Sequence, residues 1–225
     1  MMLSVKNFIN GIDFTHDKIP VIIIENKSFF RNIFLDFKND NSDELFVFSE
    51  DFKPFEFSKK GVFISDPLSF DNINKKLMTK VNLYLEETAN EEYSVELSDI
   101  KSRLIDLGNL LVAYNEYDFE YNYDITTSSI IKLLDFKISN EVEQGIFLLL
   151  RRLLLISKYI GINLFVIPNL HLYFENNEIL DFYRTLKLNH IDILVIENFE
   201  SDYNSMEDIT IIDKDLCVID KSEIF

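Results

Sequence analysis

The sequence predicts an α/β fold interrupted by a helical insertion, and three observations carry that expectation. Two apolar, β-branched runs, VIIIEN (21–26) and LVIEN (194–198), stop at the same Glu-Asn pair. Strand-like and helix-like patterns alternate near both ends of the chain, which argues for a mostly parallel sheet. Between them, from Asp66 to Ser139, there is one glycine, one proline and long helical periodicity. The expected organisation is an α/β head in two parts, 1–65 and 141–225, with a helical leg, 66–140, inserted between them. The two Glu-Asn runs are expected as adjacent central strands buried on both faces. That puts Glu25 and Glu197 at the carboxyl ends, where open α/β sheets bind ligands. The plainer role for both acids is bonding to neighbouring backbone.

Residues 19–24 read as a short buried strand. In SFFRNIFLDFK (28–38) the apolar positions 29, 30, 33, 34 and 37 have helical spacing, with Ser28 available as N-cap. ELFVFSE reads as a strand, and PFEFSKKGVFIS as a hairpin turning at Lys60-Gly61. A long helix begins at a Ser69/Asp71 cap, SVELSDIKSRLIDLGNLLVAYN makes a second, and TSSIIKLLDFKI a shorter third. From Glu141 a helix runs to Tyr159. The strand NLFVIPN, the helix ENNEILDFYRTLKLN and the strand DILVIEN follow. ITIIDKDLCVID closes as a hairpin around Asp213-Lys214.

At 225 residues and 47% apolar content the chain can bury a substantial core. No basic segment leads into an apolar one at the start, so no secretory signal is expected. The most apolar stretch, GIFLLLRRLLLISKYIGI, is broken by Arg151 and Arg152. Two adjacent arginines in mid-span are too costly for a membrane helix, so a buried helix is expected there, with the arginines pairing acids at a subunit contact. The single cysteine, Cys217, excludes an internal disulfide and fits a reducing cytoplasm; it reads as a small core residue. A net charge of −17 disfavours any chain-wide attraction to nucleic acid, so DNA binding would need a local basic surface.

A strand ending in an acid resembles a Walker-B strand, but its partner G-x-x-x-x-G-K-[ST] is absent. The five glycines, at 11, 61, 108, 145 and 161, form neither that loop nor G-x-G-x-x-G. His16, His171 and His190 are far apart and read as surface or packing residues. No G-x-S-x-G elbow occurs.

The densest constellation is NEYDFEYNYD (115–124), where Glu116, Asp118 and Glu120 alternate with Tyr117, Phe119 and Tyr121. In an extended segment these acids share a face at ~7 Å spacing, and each pair repels by roughly 2 kcal/mol at an effective dielectric near 20. The segment is either a solvated acidic edge or a site for a hard cation such as calcium, which takes six to eight oxygens. It is not an EF-hand, whose loop glycine is missing.

Three segments together resemble a known family, the accessory adaptation protein of subtype II-A CRISPR-Cas systems. They are VIIIENKSFFRNIFLDF, the acidic junction NEYDFEYNYDITTSSIIKLLDFKI, and the end ILVIENFESDYN…ITIIDKDLCVI. The resemblance covers most of the length. It implies a P-loop-NTPase-like head without a working nucleotide site, with an extended helical domain inserted. It further implies a ring-shaped homotetramer that binds calcium, is not an enzyme, and threads double-stranded DNA ends through a lysine-lined hole during spacer acquisition. Its partners would be the CRISPR integrase proteins and the effector nuclease, in the cytoplasm and not at a membrane. Carried onto this chain, the calcium candidates are Glu116, Asp118, Glu120 and Asp124, the last displaced by one residue from the alternation, with Glu141 added from the next helix. The DNA candidates come from local clustering: Lys59 and Lys60 at the expected turn, and Lys75, Lys76 and Lys80 on the first leg helix, where Lys76 and Lys80 share a face. Two rival functions stay open. One is a metal-dependent nuclease, with Glu25 and Glu197 or the acidic junction holding magnesium. The other is a protein scaffold with a vestigial nucleotide fold that binds no DNA.

Overall fold

The computed structural model describes residues 1–6, 8–14, 18–39, 41–50, 53–69, 71–138 and 145–220. The chain divides into two compact units, one of Met1–Asp71 with Asn140–Phe225 and one of Asn72–Ser139.

The first unit holds two sheets. The larger is built on β3 (Ile19–Ile24), β6 (Gly61–Phe63), β7 (Leu164–Pro168), β8 (Asp192–Glu197), β9 (Glu207–Ile212) and β10 (Val218–Asp220), in the order β10-β9-β3-β8-β7-β6. All neighbours run parallel except the closing β9–β10 pair. The two Glu-Asn runs are adjacent, with Ile23 of β3 opposite Glu197 of β8. Every residue of β3 is buried, as a strand covered on both faces must be. The smaller sheet is antiparallel: β1 (Met2–Val5), β2 (Ile9–Asp13), β4 (Phe46–Glu50) and β5 (Lys53–Phe55), in the order β2-β1-β4-β5.

Alternation sorts the large sheet's residues between two faces. Ile22, Ile24, Leu164, Val166, Leu194, Ile196 and Ile212 share one core with Leu3, Val5, Phe46 and Phe48 of the small sheet. Ile33 and Phe37 of helix α1 (Lys27–Lys38) and Phe57 of the short helix α2 (Phe57–Lys60) complete it. Rings fill this core: Phe37 lies 4.8 Å from Phe46 and 5.2 Å from Phe57, and Phe48 stacks on Phe57 at 5.3 Å. Much of the chain's wealth of phenylalanine is used here. Val21, Ile23, Phe165, Ile167, Ile193, Val195 and Ile211 fall on the opposite parity and are also buried.

Four expectations are corrected in this unit. The stretch at Lys60-Gly61 is not a hairpin: β5 belongs to the small sheet, while β6 joins the large one parallel to β7. The reason is Phe57, which is buried and lies against Gly61 so closely that a Cβ there would fall 2.2 Å from the ring. Helix α1 is capped by Asn26, whose Oδ1 accepts from Phe29 N at 3.0 Å, and not by Ser28, which lies inside the helix. Cys217 is exposed, in the turn before β10. The apolar stretch forms helix α6 (Ile146–Ile160), which buries Arg152 with Ile146, Leu149, Leu153 and Ile156 on its inner face, so Arg152 belongs to the interior of its own chain. No helix among the described residues is long and apolar enough to cross a membrane.

In the second unit lie α3 (Asp71–Glu92), α4 (Ser94–Tyr114) and α5 (Thr127–Leu134). One polar contact ties them. The Thr127 hydroxyl donates to Asn90 Oδ1 at 2.7 Å and accepts from Lys101 Nζ at 3.3 Å. Thr126 caps α5 by accepting from Ser129 N.

Candidate functional site

The strand ends expected to hold a ligand are closed by the chain's own atoms. Between β3 and α1 there are two residues, Glu25 and Asn26. The helix terminus that a phosphate loop would expose is satisfied by the Asn26 side chain, whose Nδ2 also donates to Lys214 O at 2.9 Å. Glu25 is half-buried. Glu197 is fully buried and turned inward.

What Glu197 does hold is a histidine. Residue parity places Glu197 and Glu207 on the sheet face away from the phenylalanine-rich core. A 3-10 turn after β7 (Leu170–Leu172) brings His171 to them. Glu197 Oε1 accepts from His171 N at 3.0 Å and lies 2.9 Å from its Nδ1. His171 Nε2 lies 2.9 Å from Glu207 Oε1, a close but poorly aligned contact. Tyr183, from helix α7 (Asn176–Leu188), donates to Glu207 Oε1 at 2.8 Å, and Asn204 N donates to Glu207 Oε2 at 2.8 Å. The His171 side chain is only 3% exposed. Burial alone would lower its pKa, but the two carboxylates outweigh burial and raise it to about 9. Tyr183 is pushed well above its ordinary value by burial and by Glu207, so it stays a donor. His171 is expected on the surface or in packing; the structure buries it between two carboxylates. No local pattern marks it, because both partners come from distant strands.

The acidic segment between α4 and α5 is irregular, with a bend at Glu116 and Tyr117, and not a strand. Tyr117 and Phe119 still meet edge to face at 6.4 Å, as residues two apart in an extended chain should. Tyr121 anchors the segment. Its hydroxyl is 3.0 Å from Ile105 O and 2.7 Å from Asn109 Oδ1, and its ring lies where a Cβ of residue 108 would be, 2.4 Å away. Gly108, having no Cβ, leaves room for the ring. Glu116, Asp118, Glu120 and Asp124 are all exposed, and none is ion-paired among the described residues. No three of them converge on one point: among the described residues no group of three or more His, Cys, Asp or Glu side chains is placed to hold a metal ion. Glu141 lies outside the described residues.

The expected DNA-contacting lysines fall in separate places. Lys75, Lys76 and Lys80 are exposed on α3. Lys59 and Lys60 end the short helix α2; Lys59 is ion-paired with Glu56, and Lys60 lies over the Phe55 ring at 5.4 Å. One feature was not foreseen. Leu107, Leu110, Leu111 and Tyr114, spaced as one helical stripe on α4, are 52–90% exposed.

The sequence model of a family described as CRISPR-associated protein (Cas_Csn2) matches residues 38–216. The crystal structure of Stu0660 of Streptococcus thermophilus has a similar fold, with a TM-score of 0.52 at 14% identity; the match covers 98% of this chain and 76% of that one. No curated protein sequence matches.

Proposed function

Because the chain belongs to the CRISPR-associated Cas_Csn2 family, we propose that it binds double-stranded DNA ends without regard to sequence, as a calcium-dependent homotetrameric ring acting in spacer acquisition, and that it is not an enzyme. The carrying observation is the family match, which runs through the α3 lysines, the acidic segment and most of the large sheet. Three features support the reading. The β3–α1 connection is too short to cradle a phosphate and is capped by Asn26, as expected of a P-loop-NTPase-like head without a working nucleotide site. The exposed stripe on α4 is the kind of surface that self-association covers. Lys75, Lys76 and Lys80 place three exposed cations along one helix of an otherwise acidic protein, where they can neutralise phosphates by releasing counterions. Calcium would have to draw Glu116, Asp118 and Glu120, which do not converge as they stand, together around the ion, with Asp124 and Glu141 as further ligands. The integrase proteins and the effector nuclease of the system are the proposed partners.

The test is a mobility-shift experiment with one DNA as a closed circle and as its linear form, at low salt, with calcium or with chelator. Binding is expected for the linear form alone and only with calcium, with no cleavage when magnesium is present. Equal affinity for the circle removes end-threading. Glu116→Ala with Asp118→Ala should abolish the calcium response; a full response in that variant moves the ion elsewhere.

A further inference from the structure

We propose that His171 is a charged staple: its doubly protonated ring clamps the end of β8 to the start of β9 and so holds the connection between them, residues 198–206, in place. The geometry favours the charge, with Nδ1 hydrogen-bonded to Glu197 and Nε2 in close electrostatic contact with Glu207. Both ring nitrogens lie 2.9 Å from carboxylate oxygens, Nδ1 from Glu197 and Nε2 from Glu207. A neutral imidazole has one N–H, so one of its nitrogens would present a lone pair to a carboxylate at that distance. Two buried carboxylates facing a neutral ring would also be uncompensated in a low-dielectric interior.

Three elements and the connection itself place groups around the ring. From β8 comes Glu197, and from β9 comes Glu207. From α7, Tyr183 donates to Glu207, and burial keeps it protonated. From the connection itself, Tyr203 stands edge to face with the imidazole at 5.5 Å, with its hydroxyl raised by burial above the ordinary tyrosine value.

The staple holds more than two strand ends. Glu207 Oε2 accepts from Asn204 N, and the Tyr203 hydroxyl accepts from Ser201 N at 3.1 Å, so the connection is bonded inward from the ring outward. That connection, with Lys18, Glu207, Asp208 and Ile209, forms the walls of an open cavity of about 390 Å³. Glu207 belongs to both staple and wall. The proton on His171 therefore sets the shape of the cavity as well as the join between the strands. The ring's pKa is about 9, above its ordinary 6.5. The stabilisation is then complete below about pH 6.5 and is lost as the pH rises through about 9.

Two measurements test this, and the first needs no variant. Ring-nitrogen NMR on the whole protein should show His171 with both nitrogens protonated at pH 7.5 and titrating near 9. A neutral ring at pH 7.5, or a titration near 6.5, overturns the staple. Hydrogen exchange, corrected for intrinsic rates, should then show faster exchange in 198–206 when pH passes 9, and already at pH 7 in His171→Gln. Unchanged exchange in 198–206 under both conditions also overturns it. Glu207→Gln should bring the His171 titration down; a midpoint that stays at 9 means that Glu207 is not part of the clamp.

Discussion

Gly108 and Tyr121 show how a single missing Cβ can direct a whole segment. The ring of Tyr121 occupies the place a side chain would take, and its hydroxyl bonds the α4 backbone at Ile105. Replacing Gly108 by Ala has two opposed effects. A glycine within a helix costs about 1 kcal/mol relative to alanine, so the helix gains. The new methyl expels Tyr121, which forfeits a hydrogen bond of about 1 kcal/mol and the packing of the ring. Global stability of Gly108→Ala should then stay within about 1 kcal/mol of wild type in urea titration, while amides 115–124 become less protected from exchange. Retained protection there would show that Tyr121 is not the anchor. None of this is legible in the sequence. A lone glycine in a helical run signals weakness, not a docking point, and the alternating acids beside Tyr121 make the more conspicuous pattern. His171 is hidden for a different reason: its partners, Glu197 and Glu207, stand on other elements, and only the parity of β8 and β9 turns them to its side.

Among elements, the long periodic ones, the fully buried strands and the closing β9–β10 hairpin can be read from sequence, and several other short ones cannot. Strands β3, β7 and β8 are uninterrupted apolar runs and declare themselves. Strand β1 buries only Leu3 and Val5, too few for a pattern, and β5 is three residues with a proline, so of the small sheet only β4 is legible. Helix α4 was foreseen as a helix, but its exposed stripe was not, since periodicity does not say what a face packs against. That stripe yields the element-level prediction. Burying a leucine is worth about 1.5–3 kcal/mol, so Leu107→Lys with Leu111→Glu should weaken self-association at least tenfold. The helix itself should persist, because both side chains are already in water. Sedimentation and circular dichroism read the two effects separately. An unchanged assembly with unchanged helicity would place the self-association surface elsewhere.

At the scale of the molecule, the net charge of −17 sets a constraint on any approach to DNA. Favourable interactions with phosphates would have to be local. Lys75→Glu with Lys76→Glu should weaken binding to every DNA alike, and each phosphate left without its cation should flatten the log–log salt dependence by about 0.9. A variant with the wild-type slope would mean that other cations face the phosphates. The register of the large sheet carries a consequence of another kind, for the order of events in synthesis. Ile23 and Glu197 are opposite one another yet roughly 170 residues apart, and such distant pairings close late. At about 5–20 residues per second, β3 leaves the ribosome some ten to thirty seconds before β8 exists to receive it. In that interval the helical unit, whose contacts are local, is made and can fold between the two halves of the unfinished head. The most apolar strand of the nascent chain, the one best able to pair with a stranger, thus waits longest for its own neighbours, and the burden of keeping it single falls on chaperones or on the small sheet folding early around it.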